Sequence, residues 1–320
     1  MCVPLVMAVP FCYPPCVGRW LVLSQTVAEF TAFWLDLNRS SLAASTVCGY
    51  QSTLLHHVWP VVGSLRLEEL TPVGVLACLA PLCSRGQTRQ AQLTLVVLRA
   101  ALADALRMGL ISSNPAALVR PPRHQKRPTA FWPPEALARF LEAQRGQDLY
   151  PVWLLAACLG LRRGELLGLR WADVDLHAAQ VHVCNQRVCV ARRVVEGPPK
   201  SAAGRRVLAL SPPVRASLAS LRRRRPWAVY VLCLDDGAPY SAQQLRYALD
   251  AAAAACGLPH IGLHGLRHSM AAAAVAAGVE MRVLQQILGH AHVSVTADIY
   301  AHVAPAVSAQ ALSAVSALLV

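Results

Sequence analysis

Residues 263–269 read LHGLRHS, which puts His264 and His268 four apart with Arg267 between them. On a helix the two histidines share a face, the way many zinc enzymes seat a pair of ligands. The arginine argues the other way. A guanidinium beside a dication is repulsive, whereas its planar fork of donors matches the oxygens of a phosphate. A hydrolytic zinc site of the HExxH kind also needs a glutamate between the histidines, and Gly265, Leu266 and Arg267 stand there instead. From residue 262 to 302 the only carboxylates are Glu280 and Asp298. Neither a metal nor a cofactor is expected, and the motif reads as half of an anion site.

Other polar groups stand in apolar surroundings. Arg162, in GLRRGELLGLRWADVD, opens a new helix, and its simplest role is an ion pair with Glu165. Lys200 sits in the turn-like stretch PPKSAAG, and His290 and Tyr300 lie in LGHAHVSVTADIYAHV. Taken singly, an exposed lysine or a helical tyrosine carries no chemistry. Their order and setting, rather than any one of them, carry the signal, and a family resemblance across them implies phosphoryl transfer, with a tyrosine hydroxyl attacking phosphorus and fixed cations on the non-bridging oxygens. A second reading explains some of the same residues. The stretch from 272 to 300 scans as a helix-turn-helix with its turn at Gly278, which would make a DNA-binding regulator. That reading leaves Arg162, Lys200 and Tyr300 without a role.

The elements that must position these groups follow from periodicity. Residues 22–118 read as helices: one over TVAEFTAFWLDLN, a second ending near Pro60, a third starting at Thr71–Pro72, and a long fourth ending at Gly109. The stretch 119–134 is rich in proline and carries Arg120, Arg123, Lys126 and Arg127, so it reads as a basic linker able to lie along a phosphate backbone. Helix resumes over 135–170. From about 179 the pattern turns to β, predicting one small antiparallel sheet of about three strands with Lys200 near a hairpin tip. SPPVRASLASLRRRR predicts a helix ending in a solvated arginine patch, VYVLCL a short buried strand, and helices follow over 241–256, 265–278, 281–288 and roughly 293–300. The fold class is thus mainly α with a small antiparallel sheet, an α+β chain of two domains.

Charge supports a polyanionic partner. Lysine and arginine number 30 against 17 acidic residues, a formal net charge of +13. Eleven cysteines without a CxxC pair suit a reducing compartment, and the cytoplasm is expected. The longest apolar runs fall short of the roughly 18–20 residues that span a bilayer, so no membrane partner is expected. The first twenty residues are apolar but hold four prolines and lack a basic leader, which argues against a signal peptide.

The ordered set Arg162, Lys200, His264, Arg267, His290, Tyr300 resembles that of the tyrosine recombinase (phage integrase) family. GLRRGELLGLRWADVDL, PPKSAAGRRVLAL, LHGLRHS and LGHAHVSVTADIYAHV each resemble one of its boxes, and the helical segment, with LEELTPVGV and LRAALADALRMGLISSNPAALVRPP, resembles its core DNA-binding domain. The resemblance implies a helical core-binding (SAM-like) domain over 23–118, the linker 119–134 and a catalytic domain over 135–320, with 1–22 unassigned. It also implies the roles. Tyr300 would be the nucleophile and Arg162 and Arg267 the phosphate clamp. His264 would be base or proton shuttle, His290 a donor to a non-bridging oxygen, and Lys200 the acid for the departing 5′-oxygen. His268 and Glu165 would support the site. One departure is Gly265, where relatives commonly carry an aspartate. The implied activity is site-specific, metal-independent cleavage and rejoining of double-stranded DNA through a 3′-phosphotyrosyl link. A homotetramer on two sites is implied, with the tail after Tyr300 docking on a neighbouring protomer or on its own domain. Accessory proteins and the target sequence stay open. A type IB topoisomerase shares nucleophile and cations and is the enzymatic alternative.

Overall fold

The computed structural model describes residues 25–123, 130–190, 193–199 and 201–289, the side chain of Ala202 excepted. The chain divides into two compact units at Gln125/Lys126.

The first unit is helical. Helix α1 (Val27–Leu37) opens with a capping box in which the Thr26 hydroxyl accepts from the Glu29 amide and Glu29 accepts from the Thr26 amide. Helix α2 (Ala44–Thr53) was expected to stop near Pro60. Instead a π turn over Leu54–Val58 leads into a short α3 (Trp59–Val62). Pro60 then sits in the first turn of that new segment, where its missing N–H leaves no bond unmade. Helix α4 (Pro72–Ser84) starts where expected, with the Thr71 hydroxyl accepting from the Gly74 amide. Helix α5 (Thr88–Arg107) buries a stripe that includes Leu95, Leu98 and Leu102 against Phe30 and Leu54. A buried and a half-buried indole fix the packing: Trp34 Nε1 donates to Asp104 at 2.6 Å and Trp59 Nε1 to Thr31 at 2.9 Å. Arg99 of α5 donates to the carbonyls of Ala116 and Val119, and Gln92 to that of Pro122.

The second unit surrounds helix α7 (Tyr150–Leu159), which is apolar on every side and buried almost throughout. Around it lie α6 (Pro134–Ala143), α8 (Arg163–Gly168), α9 (Pro212–Arg224), α10 (Ala242–Ala255), α11 (Leu263–Ala276) and α12 (Met281–Leu288). Trp132, Phe140, Trp153, Leu155, Leu166, Leu218, Leu245 and Leu266 form the centre of its core. The β structure is two sheets, not one. Strands β1 (Val174–Asp175), β2 (Gln180–Val183) and β5 (Arg206–Ala209) make an antiparallel sheet in the order β1-β2-β5, with Val181 opposite Leu208. Strands β3 (Gln186–Val190) and β4 (Arg193–Gly197) pair only with each other. The reason is burial. Leu208 and Val181 are buried in the core, whereas residues 193–196 of β4 are exposed and offer β5 no apolar face.

Two further expectations are corrected. VYVLCL forms isolated bridges, Tyr230 with Arg170 and Cys233 with Pro239, because the turn at 235–237 folds the segment back before a ladder can grow. The arginine run is a solvated patch only in part: Arg223 and Arg224 are exposed, while Arg222 and Arg225 are half-buried. Arg222 donates to the Ala228 carbonyl and stacks over Trp171, Arg224 pairs with Asp148, and Arg225 holds the Cys233 carbonyl and Asp235.

The residues just before α6 belong to the packing of the second unit. Trp132 is fully buried, its indole donates to the Pro259 carbonyl at 2.9 Å, and its amide donates to the Ser269 hydroxyl at 2.8 Å. Ser269 in turn donates to the Gly265 carbonyl on α11. The departure at Gly265 has its explanation here. A Cβ on that residue would stand 2.7 Å from the Ala130 carbonyl oxygen and 2.8 Å from Ile261, so the segment at 130 can cross α11 only over a glycine.

Candidate active site

Arg162 is the N-cap of α8, and Glu165 closes its first turn. The Glu165 carboxylate accepts from the Arg162 amide at 2.9 Å and from its guanidinium at 2.7 Å. The carboxylate is buried, with a side chain 1% exposed, while that of Arg162 keeps 35%. A buried carboxylate needs more than one partner. The second is Arg206, at the start of β5, whose NH1 and NH2 reach the two carboxylate oxygens at 3.2 and 3.0 Å. Burial alone would push the Glu165 carboxyl up. The hydrogen bonds and charge of Arg206, followed by those of Arg162, outweigh it and hold the pKa below the usual glutamate value.

Arg267 comes from the other side, on the first turns of α11, and is 2% exposed. It donates to the Gly160 carbonyl at the end of α7, at 2.6 Å, and to the Leu288 carbonyl. Burial, together with Arg162 and Arg206, lowers its pKa to about 9, so it remains a cation at neutral pH. Arg162 also donates to the carbonyl of Gly289, and Arg206 Nε to that of Ile287 at 2.6 Å. Three successive carbonyls at the end of α12 are therefore each held by a different arginine. These are the acceptors a helix C-terminus leaves without an intrahelical donor, and they carry the negative end of its dipole. With one carboxylate among three guanidiniums, the cluster keeps an excess of positive charge.

His264 stands three residues before Arg267 on α11. It is exposed, yet neighbouring protein desolvates its ring, and that effect with the charges of Arg267, Arg162 and Arg163 lowers its pKa below the usual histidine value. It is a neutral imidazole at pH 7, able to accept a proton. The His268 ring meets it edge-on with centroids 4.5 Å apart, which fits a bracing role. Among the described residues no three His, Cys, Asp or Glu side chains gather as metal ligands.

Of the six expected catalytic residues, Arg162, His264 and Arg267 come together from α8 and α11. Lys200, His290 and Tyr300 lie outside the described residues, although Gly289, the residue before His290, is in the cluster. Among the expected DNA contacts, Arg120 and Arg123 are exposed at the end of the first unit, and Lys126 and Arg127 lie outside the described residues. Arg206 was missed. The available signal was its phase: it stands two residues before Leu208 and shares its face of the strand, the inward one, where a charge needs partners.

Comparison with known proteins gives the family and the fold. Residues 135–306 match the model of the phage integrase family, and residues 27–121 that of the phage integrase central domain. A tyrosine recombinase XerC from Alcanivorax borkumensis is 30% identical over 87% of this chain and 89% of its own length. A XerC-like tyrosine recombinase from Caldanaerobacter subterraneus subsp. tengcongensis is 28% identical over 53% of this chain, which spans only 50% of that protein. Among solved structures, a Tn1549 transposon integrase bound to transposon right-end DNA superposes with a TM-score of 0.77 at 19% identity, over 88% of this chain and 98% of that one. A lambda integrase tetramer bound to a Holliday junction superposes with a TM-score of 0.68 at 18% identity, over 86% of this chain and 77% of that one. With a family match over more than half of its length and a recombinase aligned nearly end to end, the chain belongs to the phage integrase family of tyrosine recombinases, enzymes that break and rejoin DNA strands at specific sites.

Proposed function

We propose that the second unit cuts and reseals double-stranded DNA with Tyr300 as nucleophile. The tyrosine oxygen bonds to the scissile phosphorus, the bond from phosphorus to the 5′-oxygen breaks, and a 3′-phosphotyrosyl enzyme and a 5′-hydroxyl result. His264 takes the tyrosine proton, and Lys200 supplies the proton to the 5′-oxygen. Arg162, Arg267 and His290 hold the non-bridging oxygens. Resealing runs the same steps backwards, with the energy of the phosphodiester kept in the aryl phosphate. No metal is needed, because the charge is met by guanidiniums.

The observation that carries this reading is the convergence of Arg162 and Arg267 on one helix end, beside a neutral His264 and around a single ionised carboxylate. Exposed Arg120 and Arg123, with Lys126 and Arg127, supply backbone contacts, so binding weakens steeply with salt. Lambda integrase has been seen as a dimer on a core site and as a tetramer on a Holliday junction, and a tetramer on two sites is our reading for this chain. Action on DNA places the chain in the cytoplasm in this reading; no described helix is long and apolar enough to cross a membrane.

A suicide substrate nicked beside the cleavage position tests the mechanism. Wild type should form a covalent protein–DNA adduct in the presence of EDTA, and Tyr300→Phe should bind the DNA without forming it. An adduct that persists in Tyr300→Phe, or one that requires a divalent cation, overturns the reading.

A further inference from the structure

We propose that Arg206 is a positioning residue for strand cleavage, setting the register of the two arginines that hold the phosphate. The proposal rests on the reading of Arg162 and Arg267 as that clamp. The Arg206 side chain is 7% exposed, and its bonds all end on protein groups. Two go to the Glu165 carboxylate, one to the Ile287 carbonyl and one to the Gly204 carbonyl at 3.0 Å. It therefore touches both supports of the clamp. Through Glu165 it shares the carboxylate that steadies Arg162. Through Ile287 it holds the residue next to Leu288, the acceptor for Arg267, and two before Gly289, the acceptor for Arg162.

Without Arg206 the Glu165 carboxylate would have Arg162 alone as its guanidinium partner. Arg162 would be drawn fully onto it and away from an incoming phosphate. The end of α12 would lose one of its three arginine donors, leaving Leu288 and Gly289 less well placed. Arg206 also fastens the segment that precedes β5, since Gly204 and Arg206 lie on the same strap and a Cβ at Gly289 would strike the Ala203 carbonyl at 2.6 Å. The strap, β5, the start of α8 and the end of α12 are thus joined at one guanidinium.

The test compares single-turnover adduct formation on two suicide substrates, one with the ordinary scissile phosphate and one with a methylphosphonate, in which a neutral methyl replaces a charged oxygen. A defect in charge stabilisation shrinks on the neutral substrate, whereas a general loss of folded protein lowers both rates equally. Arg162→Ala sets the standard. Arg206→Gln should slow cleavage of the phosphate about 10–100-fold, the scale of a small misplacement at a reacting centre, and most of that loss should vanish on the methylphosphonate. Arg206→Lys, which keeps a charge but reaches fewer partners, should recover part of the rate and guards against a variant that fails to fold. Equal losses on both substrates, or no loss on either, overturn the proposal. If Arg162→Ala loses equally on both, the clamp reading itself fails, whatever Arg206 does.

Discussion

Replacing Glu165 by glutamine removes one charge and changes almost no volume, so it isolates what the carboxylate does. In the folded chain that group accepts four bonds at 2.7–3.2 Å, two from Arg162 and two from Arg206, inside a side chain 1% exposed. Glutamine keeps one acceptor oxygen and turns an NH₂ toward a guanidinium, donor against donor. Breaking a buried pair by removing one partner costs about 3–5 kcal/mol, because the surviving charge is left uncompensated. Here two guanidiniums survive, with Arg267 close by, and Arg162 is partly open to water. We take the same range. For a unit of this size each kcal/mol moves the melting midpoint by about 2–4 °C, so the transition of the second unit should fall by roughly 6–20 °C.

Scanning calorimetry resolves that transition, and the pH dependence supplies the sign check. The pKa of Glu165 is lowered on folding, so its stabilisation is fully present above the ordinary glutamate range and is lost as pH falls through the folded value. The gap in melting midpoint between wild type and Glu165→Gln should therefore be constant near neutrality and close in acid. A gap under about 3 °C at pH 7, or one that widens in acid, would refute the view that this carboxylate binds the arginine cluster together.

Gly289→Ala should destabilise by at least about 1–2 kcal/mol, since Gly289 has φ +63° and its added Cβ would stand 2.6 Å from the Ala203 oxygen; a denaturant midpoint equal to wild type would contradict this. Trp132→Ala should cost about 3–5 kcal/mol in urea unfolding, because a fully buried indole and its bond to Pro259 are both lost; a cost under 1 kcal/mol would mean the segment before α6 is a mere tether. Because the His264 pKa is lowered, the cleavage rate should hold steady down through the ordinary histidine range near 6.5 and fall only at lower pH; His264→Gln should be slower and lack that acid limb, and a limb that survives assigns it to another group.

Much of the fold was readable because it is set locally. Thr26 with Glu29 and Thr71 before Pro72 are start signals complete within four residues, and the structure begins helices at both. The Arg162–Glu165 pairing is equally local and appears as expected. What escaped notice depends on partners far along the chain. Proline 60 looked like a stop because the π turn that absorbs it is not encoded by any single residue. Strand β5 was paired with its sequence neighbour, whereas burial of Leu208 sends it to β2. Gly265 looked like a lost side chain, and the Ala130 carbonyl, 135 residues earlier, joins nearby Ile261 in making it a requirement. Arg206 was hidden beside Arg205 in a chain of 30 basic residues, where charge alone distinguishes nothing.

The same contrast explains how a site can hold three like charges close together and still fold. Guanidiniums repel one another, and burying each costs free energy unless its donors are met. One carboxylate answers part of that need; a second would cancel more of the cluster's positive charge. Backbone carbonyls answer the rest without adding a formal charge. The end of a helix supplies several in succession, with a dipole equivalent to about half a negative charge behind them. Helix α12 serves in this way for Arg206, Arg267 and Arg162, and it is held to the unit by fully buried Leu284 and Leu288. The cluster is therefore only as well placed as that helix is docked, and a change in the apolar face of α12 should reach the arginines before it unfolds the chain.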